Sequence, residues 1–174
     1  MTTQITPLLP PLDPTDTPPG SIEAERRSRR SALQRQILRT LTATDHKVIG
    51  NLYLATSFGF FLFGGVLALI IRAELTEPGL QIVENPEQFN QLFTMHGTIM
   101  LLLFATPLFA GFANALVPLQ IGSPDVSFPR LNMLAYWMYL FGGLITVAGF
   151  LTPSGAASFG WFAYAPLSTA TFSP

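Results

Sequence analysis

Long apolar runs alternate with short polar connectors along the chain. No Asp, Glu, Lys or Arg occurs in residues 48–71, 88–124 or 131–174, which gives stretches of 24, 37 and 44 residues. One helix needs about 20 apolar residues to cross the hydrocarbon of a bilayer, so each stretch holds one span. The pattern predicts spanning helices over about 48–71, 91–117 and 132–151. Turn formers mark the connectors, Pro78-Gly79 and Asn85-Pro86 in the first and Gly122-Ser123-Pro124-Asp125 in the second. Ala55/Gly59 and Gly64/Ala68 have the four-residue spacing of small side chains that lets helix backbones approach closely in lipid. Pro107 predicts a kink in the second helix.

The first 47 residues read differently. Six prolines within residues 1–20 cannot accompany enough apolar burial to offset ordering entropy, which predicts a disordered Pro-rich tail. Residues 21–47 hold Arg26, Arg27, Arg29, Arg30, Arg35, Arg39 and Lys47, with Leu33, Ile37, Leu38 and Leu41 at helical spacing. That predicts a basic amphipathic helix at the cytoplasmic membrane surface. A secretory signal would place its apolar run directly after a few basic residues and end in a small-residue cleavage site, and neither holds here. The fold class expected is all-α: a transmembrane helical bundle with a disordered N-terminal tail.

Charge sharpens this picture. Only 11% of the residues are charged, where a soluble domain carries about 25%. Twelve of the 19 charges precede residue 48, leaving seven for the remaining 127 residues. The net charge of −1 leaves no basic surface once the N-terminal arginines are set aside, so nucleic acid is not expected as a partner. The absence of cysteine excludes disulfides, thiolate metal sites and a cysteine nucleophile. Seven basic residues precede the first span, Arg72 stands among four glutamates in the first connector, and Arg130 lies in the second. The positive-inside rule then puts the N-terminus and the Asp125 connector in the cytoplasm and the Arg72 to Glu87 connector outside.

Polar groups within or beside the spans are the candidates for chemistry. His96 is the one ionisable side chain in its 37-residue run, and an intramembrane histidine is a metal or haem ligand, a proton relay or a hydrogen-bonded packing residue. No other histidine lies in a predicted span, so a second ligand would come from another helix or chain. His96 and Asn114 are 18 residues apart, about five turns of a straight helix, which puts them on one face. Asn114 reads either as a hydrogen bond to a neighbouring helix or as the far end of a polar inward face. Asp125 is a solvated cap or, with Asn114 and Asn132, part of a proton-entry funnel. Arg72 is a snorkelling anchor. Glu74 is a solvated loop charge or, with Gln81 and the Pro78-Gly79 carbonyls, an oxygen site for a hard cation. Trp161 and Tyr164 read as an interfacial aromatic belt.

Five boxes change how these residues are read: DHKVIG at 45–50, IRAEL at 71–75, FTMHGTIMLLLFATPLFAGFAN at 93–114, PLQIGSPDVSFPRLN at 118–132 and GWFAYAPLS at 160–168. Together, over about Leu41 to Ser168, they resemble subunit I of the haem-copper oxidases, and within that superfamily a bacterial cytochrome c oxidase. The resemblance implies three spans of a twelve-span fold, with the chain reading as truncated at Pro174. His96 matches the axial ligand of the low-spin haem and Arg72 the arginine on the haem A formyl group. Glu74, Gly79 and Gln81 match a calcium or sodium site. Asp125, Asn114 and Asn132 match the proton-channel mouth, and Trp161 and Tyr164 the aromatics near the haem propionates. Many members carry a second asparagine where this chain has Met133.

The resemblance further implies a proton-pumping oxidase that takes electrons from cytochrome c and reduces oxygen to water. Its partners would be a copper-bearing subunit II, subunit III and the lipid bilayer of the bacterial plasma membrane. The second haem and copper B would lie outside these residues. A quinol oxidase and an inactive three-helix fragment are the alternatives, and the 174 residues alone are expected to be inactive.

Overall fold

The computed structural model describes residues 22–169. The expected disordered tail at 1–20 lies outside the described residues, as does Ser21. The chain falls into two compact units that divide between Thr42 and Ala43. In the first, α1 runs from Ile22 to Leu41, with glutamates in its opening turn and Arg39 in its last, as the helix dipole favours. At 3.6 residues per turn Arg26 and Arg30 fall on the same side as Leu33 and Leu41, so the apolar stripe is confined to the second half of the helix.

The second unit is helical, without strands among the described residues. Helix α2, His46–Glu74, starts at Asp45, whose Oδ1 accepts hydrogen bonds from the amides of Lys47 (2.7 Å) and Val48 (3.4 Å). Asn85 caps α3, Pro86–Thr98, by accepting from the Gln88 amide at 2.9 Å, while Pro86 occupies a first-turn position that needs no N–H. The helix continues through a π-helical stretch, Ile99–Ala105, into α4, Thr106–Gln120. Helix α5, Pro129–Ala148, ends in a 3₁₀ turn, Gly149–Leu151. Among the described residues, three segments are long and apolar enough to cross a membrane: His46–Glu74, Pro86–Gln120 and Pro129–Leu151. Each contains its predicted span and extends it by up to five residues.

Three details depart from the sequence reading. The disturbance expected at Pro107 spreads back over the π-helical stretch. The five-residue ladder runs up to the Thr106 amide on the Leu101 carbonyl and cannot continue through Pro107, which has no N–H, and the Tyr139 hydroxyl of α5 donates to the Leu103 carbonyl at 2.8 Å. The Thr106 hydroxyl meets the Leu101 carbonyl at 2.9 Å. A π turn takes more residues than an α turn, so the five-turn arithmetic from His96 to Asn114 fails, and their side chains meet different helices. The small-residue pairs also divide. Gly64 is packed so closely on the second span that a Cβ there would lie 2.7 Å from Met100 Sδ, whereas Gly59 has open space beside it. Ala55 and Gly59 line an apolar groove of about 470 Å³ with Phe60, Tyr136 and Leu144. Finally, a second histidine does lie in a span-forming helix: His46 is the first residue of α2 and is 2% exposed.

The core is built where α2 meets the second span and α5. Phe60, Leu67, Met95, Ile99 and Leu103 form one buried cluster, and Ile49, Tyr53, Met133 and Tyr136 another. Met133, which stands where many relatives by resemblance have asparagine, is thus a packing residue.

Candidate functional site

Two polar centres sit at opposite ends of the second span. At the first, His96 is half-buried and its Nδ1 lies 2.9 Å from the Gly64 carbonyl oxygen. A carbonyl only accepts, so Nδ1 carries the proton and Nε2 keeps its lone pair. Nε2 bonds no protein group among the described residues. A backbone acceptor that fixes tautomer and ring orientation is the usual support behind a metal-ligating histidine. The close approach at Gly64 makes that bond reachable.

The residues after α5 strap onto the same end. The Gln91 amide donates to the Ser154 carbonyl at 3.2 Å, and the Gly160 amide donates to the Thr94 hydroxyl at 2.9 Å. A Cβ at Gly97 would lie 3.2 Å from Trp161 Cβ, so Trp161 packs on the residue next to His96. Phe162 follows Trp161 at a ring-centroid distance of 4.0 Å, and Tyr164 stacks on Phe162 at 5.3 Å. Trp161 and Tyr164 are exposed, so the strap presents an aromatic surface rather than a core. Arg72, in the last turn of α2, is exposed and bonds no protein group among the described residues.

Glu74 closes α2 and is 2% exposed. Its Oε1 accepts from the Gln81 amide at 2.9 Å, and its Oε2 accepts from the amides of Ile82 (2.6 Å) and Val83 (3.1 Å). The carboxylate thereby folds the connector back onto the helix, with Gly79 supplying the positive φ of 106° that the turn needs. The Gln81 side-chain amide donates to the Pro78 carbonyl at 3.1 Å. Three of the roughly four lone-pair positions of the carboxylate are filled by N–H donors. No cluster of three His, Cys, Asp or Glu suited to a metal occurs among the described residues.

At the other centre, Asn132 of α5 donates its side-chain amide to Asn114 Oδ1 at 2.6 Å, and the Asn114 amide donates to the Ala110 carbonyl at 2.9 Å. The Asn114 carbonyl receives His46 Nδ1 at 2.8 Å. Asn114 and Asp125 line one cleft of about 370 Å³, with Ser123 and Ser127 also in its wall. Asp125 Oδ1 accepts from the Val126 amide at 2.8 Å, and no ion pair to Asp125 occurs among the described residues. The structure therefore joins Asn114 to Asn132 by a hydrogen bond and to Asp125 through a shared cleft, and adds His46. The signal for His46 was present in the sequence: Pro118 stands four residues after Asn114 and leaves its carbonyl without a helical donor.

Residues 48–174 match the family model described as cytochrome c and quinol oxidase polypeptide I. Over 156 residues the chain is 70% identical to the "Putative cytochrome c oxidase subunit 1-beta" of Streptomyces coelicolor, which covers 90% of this chain and 27% of that protein. It is 68% identical over 154 residues to the "Probable cytochrome c oxidase subunit 1-alpha" of the same organism, covering 88% and 26%. It is 60% identical over 134 residues to the "Cytochrome c oxidase subunit 1" of Corynebacterium glutamicum, covering 77% and 23%. The chain thus spans about a quarter of the length of the curated relatives it matches.

Proposed function

The chain belongs to the cytochrome c and quinol oxidase polypeptide I family, and from that premise we propose that it forms the first three spans of the catalytic subunit of a proton-pumping cytochrome c oxidase. In this reading His96 would hold the iron of the low-spin haem. The observation that carries it is the Nδ1 bond to the Gly64 carbonyl, which leaves Nε2 with its lone pair and the ring held in one orientation. The chemistry that haem A supplies when bound is one-electron transfer. The chain's own part is to hold the ligand, to offer the free Arg72 guanidinium to the formyl oxygen, and to flank the propionates with Trp161 and Tyr164.

Protons enter at the opposite centre. The Asp125 carboxylate, free of an ion pair among the described residues, takes them up in the cleft it shares with Asn114. The Asn114–Asn132 pair orders the water that leads inward. Glu74, Gly79 and Gln81 would be the residues to hold calcium or sodium. The subunit sits in a bacterial plasma membrane with its N-terminus in the cytoplasm and works with a copper-bearing subunit II, subunit III and cytochrome c. The second haem and copper B are held by parts of the subunit beyond these spans, so the 174 residues alone consume no oxygen.

The test is carried out on the full-length subunit in its complex. Oxygen consumption follows reduced cytochrome c, and Asp125→Asn slows proton uptake while leaving haem content intact. Normal pumping by Asp125→Asn contradicts the channel role, and turnover with quinol but not cytochrome c favours the quinol oxidase.

A further inference from the structure

An α-helical carbonyl is satisfied by the N–H four residues later. Pro118 has none, so the Asn114 carbonyl of α4 loses its helical donor. His46 Nδ1 stands 2.8 Å from that oxygen. The ring comes from α2, is 2% exposed, and is anchored at its own helix start by the Asp45 cap. One turn further on, Gly50 lets the two helices touch: a Cβ there would lie 2.9 Å from the Ala115 amide nitrogen and 3.0 Å from the Gly111 carbonyl oxygen. The same Asn114 presents its side chain to Asn132 and to the cleft that holds Asp125.

We propose that His46 is a positioning residue of the polar mouth: it replaces the donor that Pro118 removes, and by holding the Asn114 backbone it fixes the Asn114–Asn132 amide pair beside Asp125. The functional half of the proposal rests on the reading of Asp125 as the site of proton entry. Without the ring, a half-buried carbonyl loses its partner at the residue whose side chain sets the pair. The helix gains freedom to turn that carbonyl toward water, and the amide pair moves with it. A ring that itself carried protons would be a different device, and a backbone repair separates the two.

The experiment uses the full-length oxidase complex and two readouts, proton uptake in reconstituted vesicles and the thermal midpoint of the purified complex. His46→Ala slows uptake by about fivefold, the population cost of one lost hydrogen bond to a half-buried acceptor, and lowers the midpoint, with the low-spin haem spectrum unchanged. Pro118→Ala alone stays near wild type. The double variant His46→Ala with Pro118→Ala recovers both readouts, because the alanine amide supplies the missing helical donor. His46→Gln, which keeps a side-chain N–H, retains part of both and serves where the alanine variant fails to assemble.

An unchanged His46→Ala variant overturns the proposal. So does a loss that Pro118→Ala does not restore, the outcome expected of a proton-carrying ring. Asp125→Asn is run beside them: normal uptake in that variant refutes the reading of the mouth and with it the functional half of the proposal, while the melting cycle still decides the bond itself.

Discussion

Helix α2 and the second span exchange two histidine-to-carbonyl bonds of nearly equal length that run in opposite directions. His96 of the second span meets the Gly64 carbonyl of α2 at 2.9 Å, and His46 of α2 meets the Asn114 carbonyl of the second span at 2.8 Å. Their logic differs. The Gly64 carbonyl has an ordinary helical donor four residues later, so the bond is not needed to satisfy the backbone, and its effect falls on the ring. The Asn114 carbonyl has no such donor, so there the effect falls on the backbone. His46 is sealed, while His96 is half-buried with an unpartnered Nε2. The same contact orients a ring at one end of the helix and closes a gap at the other. A histidine in a span is therefore read correctly only with its acceptor in view.

Substitutions at the helix contacts break this comparison in a graded way, each read as the thermal midpoint of the full-length complex. Gly50→Ala is the most damaging, at about 1–3 kcal/mol, because the new Cβ meets backbone atoms of Ala115 and Gly111 that no rotamer change can move. Tyr139→Phe removes the hydroxyl bond to the Leu103 carbonyl at the π-helical stretch and costs about 1–2 kcal/mol. Gly64→Ala costs less than about 1 kcal/mol, since its Cβ meets the flexible Met100 thioether, although it pushes the His96 acceptor outward. Gly59→Ala, facing the open groove, stays within about 0.5 kcal/mol of wild type. A larger loss at Gly64 than at Gly50 would show that the His96 end, and not the His46 end, is the rigid one.

The spans were legible in the sequence because charge is so costly in lipid that its absence marks them, and each predicted span lies inside its observed helix. The Asn85-Pro86 connector marked the start of α3 for the same local reason that caps it. Asn114, Asp125 and Asn132 could be placed near one another from the sequence, since they lie at neighbouring ends of consecutive helices. The π-helical stretch was not: Pro107 announces a disturbance but not its form, and the Tyr139 bond to the Leu103 carbonyl comes from a distant helix. His46 is harder to read, because its partner is a backbone atom that only Pro118, four residues after Asn114, betrays in the sequence. The strap that seats Trp161 beside His96 also escaped notice, since the Gln91–Ser154 and Thr94–Gly160 bonds join residues more than sixty positions apart.

The reduced-minus-oxidised optical spectrum of the full-length oxidase carrying His96→Ala, recorded beside His46→Ala, tests the central assignment most directly. Loss of the low-spin haem band in His96→Ala and its retention in His46→Ala is the predicted result. A band that survives in His96→Ala would contradict it.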